Sequence, residues 1–400
     1  MTPPESTSTA FILSGGGANG AYEVGVMKAL LEGASPATGH RPVDPEILTG
    51  TSVGAYNAAF LAASPQESAR DTIQRLEEIW LKKIARTSSS CGNGVFRIRG
   101  LPLQFLDPGC LGQPARTLAR TAQDGAYFGF YSMLRTASLL GRRGRLEDRL
   151  LQLVDYGAFF SVEPLERLVR ETLDLAGLGR SSKKLVVAAS DWKKGELRLF
   201  ERGEVASAHG HDIILASTAI PGIFPPVVIG GVPYVDGGVL MNTPLRPAIR
   251  AGAESLHVIY LDPFVREIPL DWMPSSIDTM YRLFALLWSA SLDDDVQDAE
   301  EINRGLALLA QAADLPATGE AARRFVAVAE RLYQRLLASS RPYRPLVIHR
   351  YRPAQDLGGG GGLLNFDQKR LEEVIALGYQ DAVHHDCQKN GCAVPPEEGN

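Results

Sequence analysis

The stretch AFILSGGGANGAYEVGVMKALLEG, residues 10–33, decides the fold class. Phe11, Ile12 and Leu13 make a short apolar run of strand type, and Gly15, Gly16 and Gly17 break it with a turn. Val24, Val26, Met27, Ala29 and Leu30 then supply the broad apolar face of a helix. Gly15, Gly17 and Gly20 also satisfy G-x-G-x-x-G in the strand-to-helix context of a dinucleotide-binding turn. Such a turn is built to face negative charge, and the question is which charge.

A second strand-turn-helix follows at once in EILTGTSVGAYNAAFLAA, residues 46–63, with a helix opening near Val53. Small residues at its start (Gly54, Ala55, Ala58, Ala59) let the helix approach a sheet closely. Two consecutive units of this kind imply an α/β fold with a mostly parallel sheet covered by helices. A dinucleotide site further requires an acid at the end of the second strand, to hold ribose hydroxyls. The chain has Thr49-Gly50-Thr51-Ser52-Val53-Gly54 there, with no acid. That segment reads G-x-S-x-G, which sets Ser52 on a sharp turn above a helix N-terminus, framed by Gly50 and Gly54. The motif is weak alone, but both turns are expected at the carboxyl ends of strands in one parallel sheet, where open α/β sheets bind ligands. The backbone amides of Gly15, Gly16, Gly17 and Ala18 are therefore expected to face the Ser52 hydroxyl as an oxyanion hole. The charge is then a transient alkoxide instead of a pyrophosphate.

A serine nucleophile needs a base. An α/β-hydrolase carries several strands before its nucleophile, whereas one strand precedes Ser52, so another fold is implied. None of the seven histidines follows a strand with glycine support: His257 and His349 read as strand residues, and His209, His211, His384 and His385 as surface residues. A carboxylate fits better. YVDGGV puts Asp236 at the end of a Val-rich strand, with Gly237 and Gly238 leaving space around it. Asp-Gly is also a common turn dipeptide, so this assignment rests on the companion motifs. Further strands are expected at 184–190, 196–200, 255–261 and 345–351, a hairpin turning at Gly230-Gly231, and a last helix over 367–384.

Length allows one large domain with insertions over all 400 residues. Residues 91–155 read as an inserted cap with nine arginines, no lysine and interleaved aromatics; residues 266–340 read as a helical insertion, and 386–400 as a disordered tail. The net charge of −5 excludes the basic footprint of general nucleic-acid binding. Cys91, Cys110, Cys387 and Cys392 are spaced too widely for a compact metal or redox motif and are read as reduced thiols of a cytoplasmic protein. No signal peptide or membrane span is evident, so membrane contact is expected to be peripheral. No cofactor or metal is indicated, and the oligomeric state is left open.

Gly15-Gly16-Gly17, Gly50-Thr51-Ser52-Val53-Gly54 and Asp236-Gly237-Gly238, in this order, resemble the patatin-like phospholipase family, as does the stretch from Ala216 to residue 261. The resemblance implies a three-layer α/β/α fold and a Ser-Asp dyad without a catalytic histidine. Ser52 would accept the acyl group, Asp236 would serve as base, and the glycine turn would form the oxyanion hole. It implies hydrolysis of acyl esters of phospholipids, lysophospholipids or other lipids without a required metal. Acyl transfer to an alcohol, or noncatalytic lipid binding on the same fold, remain as alternatives. Many family members carry Arg or Lys where this chain has Asn19, so the hole is expected to rely on backbone donors without a nearby cation.

Overall fold

The computed structural model describes residues 8–87, 90–100, 108–140, 156–261, 276–313, 315, 318–338, 344–358 and 362–394. The two opening units form as expected: β1 (Thr9–Leu13) leads through the glycine turn to α1 (Ala21–Glu32), and β2 (Ile47–Thr51) leads to α2 (Val53–Ala62). A third helix, α3 (Ala69–Ile79), follows. Arg97–Ile98 (β3) and Phe160–Ser161 (β4) form a separate two-stranded sheet. The main sheet continues with β5 (Lys184–Asp191), β6 (Glu196–Glu201), β7 (Val227–Ile229), β8 (Val232–Asp236), β9 (Ser255–Ile259) and β10 (Val347–Tyr351).

The eight strands run in the order β10-β9-β1-β2-β5-β8-β7, with β6 also on β5. The half from β10 to β5 is parallel. The β5-β6, β5-β8 and β7-β8 pairs are antiparallel. The β7-β8 hairpin turns at Gly230 and Gly231, with φ of 58° and 80°, values that L side chains adopt only with strain.

One detail of register positions the site. β6 occupies one edge of β5 from Val186 to Asp191, so β2 and β8 share the other. β2 runs parallel along that edge and ends with Thr51 opposite Ala188; β8 runs antiparallel and ends with Asp236 opposite Ala189. The carboxyl ends of the two strands therefore meet head to head on adjacent residues of β5. The residue after β2 is Ser52, and the last residue of β8 is Asp236.

Both faces of the sheet are buried at β1, β2 and β9, as their near-continuous apolar sequences require. Phe11, Leu13 and Leu48 face a large core with α1, α2, α3 and the last helix, Gln368–Val383; Ala10, Ile12 and Ile47 face a smaller one with Leu245, Ala248, Val258 and Val296. The result is a three-layer α/β/α arrangement. Close approach of α1 and the last helix depends on glycine: a Cβ at Gly25 would lie 2.0 Å from the Ile375 carbonyl oxygen, and one at Gly378 2.2 Å from that of Tyr22.

Three readings need correction. Cys91 and Cys110 form a disulfide, so the cysteines no longer argue for a reducing compartment. The bond closes a loop within the Arg-rich segment, where Gly109 packs against the Ser90 carbonyl. Residues 386–394, expected in a disordered tail, fold back onto the sheet, and Ala393 exchanges backbone hydrogen bonds of 2.8 and 3.0 Å with Ile348. Two unpaired edge groups of β10 are thereby satisfied. His385, read as exposed, is buried in the same contact. The helical segment contains the helices Ser276–Ala313 and Glu320–Leu337, but most side chains at 280–288 lie outside the described residues, as do residues 101–107, 141–155, 262–275 and 395–400.

Candidate active site

Ser52 sits between β2 and α2 with φ of 56°, one of two non-glycine residues of positive φ among those described. That conformation is strained for a side chain and persists because the surroundings hold it. Its amide donates to the Ser217 hydroxyl (2.9 Å), which donates to the Ala188 carbonyl (2.7 Å); its own carbonyl accepts from the Ala55 amide (3.0 Å). The flanking glycines are sterically required. A Cβ at Gly50 would meet the Gly54 carbonyl oxygen at 2.4 Å, and one at Gly54 the Leu13 carbonyl oxygen at 2.5 Å. Gly20 is fixed similarly, since its Cβ would fall 2.5 Å from Val53 Cγ2.

Asp236 is held by its amide, which donates to the Ala219 carbonyl at 2.9 Å. Its carboxylate Oδ1 accepts from the Gly238 amide at 2.7 Å, and the carboxylate lines the same pocket as Ser52. Burial pushes the carboxyl up to about 7, against the lowering influence of the nearby Ser52 side chain and the Gly238 amide. Gly237 permits the approach, because a Cβ there would lie 2.4 Å from the Ala188 carbonyl oxygen. The following loop is stitched to the early strands: Thr51 Oγ1 donates to the Met241 carbonyl (2.9 Å), Thr49 Oγ1 to that of Pro244 (2.9 Å), and Ser14 and Thr243 hydroxyls share a 2.6 Å bond.

Gly15, Gly16, Gly17, Ser52 and Asp236 line one pocket together with Asn242 and Leu363. The four amides expected to face the serine are not equivalent. The Gly15 amide donates to the Asn242 carbonyl (3.1 Å), and Asn242 Nδ2 donates back to the Gly15 carbonyl (3.2 Å). Gly15 is therefore engaged in holding the loop. The amides of Gly16 and Gly17 make no hydrogen bond among the described residues, and Ala18 lies in the short 3₁₀ turn Gly17–Gly20 that enters α1.

Beneath the turn, Asn57 Nδ2 donates to Glu23 Oε2 (2.8 Å) and to the Gly20 carbonyl (3.3 Å), while Trp80 Nε1 donates to Asn57 Oδ1 (3.0 Å). Burial raises the Glu23 pKa well above the usual carboxylate range. This network ties α1, α2 and the turn after α3 together under both loops. Polar residues inside apolar helices were its only sequence signal.

A cation does stand beside Asn19, contrary to the expectation from sequence. Arg370 of the last helix donates to Asn19 Oδ1 at 2.7 Å. Arg370 stands 351 positions after Asn19 in the chain. Leu363 also reaches over the turn, since a Cβ at Gly17 would lie 2.4 Å from its carbonyl oxygen. Neither contact has a local sequence signature.

An adjoining pocket opens from Ser52 and is almost wholly apolar, with Val53, Tyr56, Trp80, Ile84, Val95, Leu165, Leu168, Phe224 and Phe366 in its wall. Val95 and Phe96 carry the Arg-rich segment to it, and Phe96 packs edge-on against Phe160 and Phe366.

No curated protein matches the chain. Among solved structures, the chain is similar to the crystal structure of VipD from Legionella pneumophila at 15% sequence identity and a TM-score of 0.37, over 94% of this chain and 66% of that one, just under two thirds of its length. A sequence profile of the patatin-like phospholipases matches residues 11–249, from the first strand through both loops and past Asp236. With more than half its length matched and the three motif loops brought around one pocket, the chain belongs to the patatin-like phospholipase family.

Proposed function

We propose that the protein is a lipid acyl hydrolase that works through an acyl-Ser52 intermediate, with Asp236 as its base. The observation that carries this reading is the meeting of β2 and β8 on adjacent residues of β5, which sets Ser52 beside the buried Asp236 carboxylate in one pocket. None of the seven histidines lines either adjoining pocket. In the proposed reaction, Ser52 Oγ attacks the ester carbonyl and its proton passes to the Asp236 carboxylate. The carbonyl electron pair moves onto oxygen, where the Gly16, Gly17 and Ala18 amides stabilise it. Collapse expels the alcohol portion of the lipid, which takes the proton from Asp236. Water then attacks the acyl-serine, giving its proton to Asp236, and the fatty acid leaves as Ser52 recovers its hydrogen.

The apolar pocket supports a long acyl substituent, because burying each methylene contributes about 0.8 kcal/mol. Asp236, buried and near pKa 7, is closer to the operating range of a general base than an exposed aspartate is. Leu118, Phe130, Met133 and Leu134 are exposed on the helix Pro114–Leu140 and support a peripheral contact between the Arg-rich segment and a lipid surface.

The test is release of fatty acid from phosphatidylcholine, lysophosphatidylcholine and triacylglycerol by purified wild type, Ser52→Ala and Asp236→Asn proteins. Loss of at least about three orders of magnitude in both variants is expected. Equal turnover in either would reject its assigned role. Repeating the assay with a long-chain acceptor alcohol distinguishes hydrolysis, which yields free acid, from transfer, which yields a new ester.

A further inference from the structure

Far along the sheet from Ser52, at its β10 edge, four soft donor groups converge. His349 lies mid-strand in β10, and His385 follows the last helix with its ring packed on Tyr351 at 4.6 Å between centroids. The chain then turns back. Asp386 Oδ1 accepts from the Gln388 amide (3.0 Å), the Cys392 amide donates to the Cys387 carbonyl (2.9 Å), and Ala393 bridges to Ile348. This brings one ligand atom each of His349, His385, Cys387 and Cys392 within 4.8 Å of one another.

The spacing within the cluster is that of coordination. Cys387 Sγ is 3.5 Å from His349 Nδ1 and 3.5 Å from His385 Nε2, and Cys392 Sγ is 3.3 Å from His385 Nε2. In a tetrahedral zinc site, bonds of about 2.3 Å to sulfur and about 2.0–2.1 Å to nitrogen separate neighbouring S and N ligands by about 3.5 Å. The Arg350 amide also points at Cys392 Sγ from 3.4 Å, giving the sulfur a backbone donor. Cys387 and Cys392 are not joined to each other, whereas Cys91 and Cys110 are.

We propose that His349 Nδ1, His385 Nε2, Cys387 Sγ and Cys392 Sγ bind a structural zinc ion. Two thiolates and two imidazoles favour zinc over magnesium or calcium, which prefer oxygen. Four protein ligands fill the tetrahedron and leave no position for substrate, so the role is structural instead of catalytic. Binding replaces two thiol protons with two Zn–S bonds and releases both protons to solvent; the bound dication and the two thiolates cancel in charge. The ion fastens the chain after the last helix to β10 and keeps that edge strand covered, where an uncovered one would invite pairing with another chain. Sequence reading misses the site because His349 lies 36 positions before His385 and joins the cluster only through strand pairing.

The test is metal analysis of the full chain, purified without chelators or metal-affinity resin, by inductively coupled plasma mass spectrometry. The expected content is about one zinc per chain, lost in a Cys387→Ser/Cys392→Ser double variant that still reacts with a fluorophosphonate at Ser52. Should the double variant fail to fold, the wild type decides alone. Replacement with cobalt(II) is expected to give intense tetrahedral ligand-field bands and thiolate-to-cobalt charge transfer. Reduced wild-type protein that retains no zinc after incubation with equimolar zinc and desalting would overturn the proposal. So would an octahedral cobalt spectrum, or a Cys387–Cys392 disulfide in the native peptide map.

Discussion

Burial lifts the Asp236 carboxyl to about 7, so near neutral pH it divides between an acid that cannot take the Ser52 proton and a base that can. On the proposed mechanism, kcat/KM rises tenfold per pH unit below about 7 and levels off above it, as a pH-rate profile on a soluble ester would show. A profile flat from pH 5 to 8 would remove Asp236 as the base. The same shift affects stability with a definite sign. Between the unfolded value of about 3.9 and the folded value of about 7, the folded chain holds a proton that the unfolded chain has lost, so stability falls as pH rises through that window. Asp236→Asn removes the buried charge and is expected to stabilise the protein at pH 8 by on the order of 2–4 kcal/mol, with the gap narrowing toward pH 4. Denaturant titrations at the two pH values measure it. Ser52 and Asp236 were legible in the sequence because each stands in turn chemistry that restricts the residue type. Asn242, Arg370 and the engagement of the Gly15 amide were not, because their partners lie 227, 351 and 227 positions away.

At the scale of elements, strands and opening helices followed from apolar runs bounded by glycine, and the Gly230-Gly231 hairpin from its turn type. What sequence withheld was pairing. Nothing local in YVD tells that β8 runs antiparallel along the edge of β5 that β2 vacates, yet that junction joins the two halves of the site. The disulfide and the His-Cys cluster were hidden for the same reason: each joins residues that are neighbours only after folding. The α1–last helix contact carries its own prediction. A methyl group at Gly378 would meet the Tyr22 carbonyl oxygen at 2.2 Å, so Gly378→Ala must push the helices apart. A loss of about 1–3 kcal/mol in urea unfolding is expected. Unchanged stability would mean that the helices do not pack this closely.

Across the whole molecule, the family match ends at residue 249, while Leu363, Phe366 and Arg370 beyond it border the glycine turn or the apolar pocket. The site is thus completed by parts of the chain that the shared motifs do not include. The Arg-rich segment presents apolar side chains outward, and its buried Arg97–Asp124 pair, at 2.6 Å, holds the helix Pro114–Leu140 to β3. No helix among the described residues is long and apolar enough to cross a membrane. A Phe130→Ser/Met133→Ser/Leu134→Ser variant is expected to co-sediment less with anionic liposomes than the wild type while keeping its turnover of a soluble ester. Equal co-sedimentation would show that this face does not meet lipid. The central claim is that Ser52 is activated by Asp236 alone, without histidine, and covalent trapping tests it most directly. Peptide mass mapping after reaction with a fluorophosphonate is predicted to find the adduct on Ser52 in the wild type and little or none in Asp236→Asn at pH 8; an adduct on another residue, or equal labelling rates in the two proteins, would contradict it.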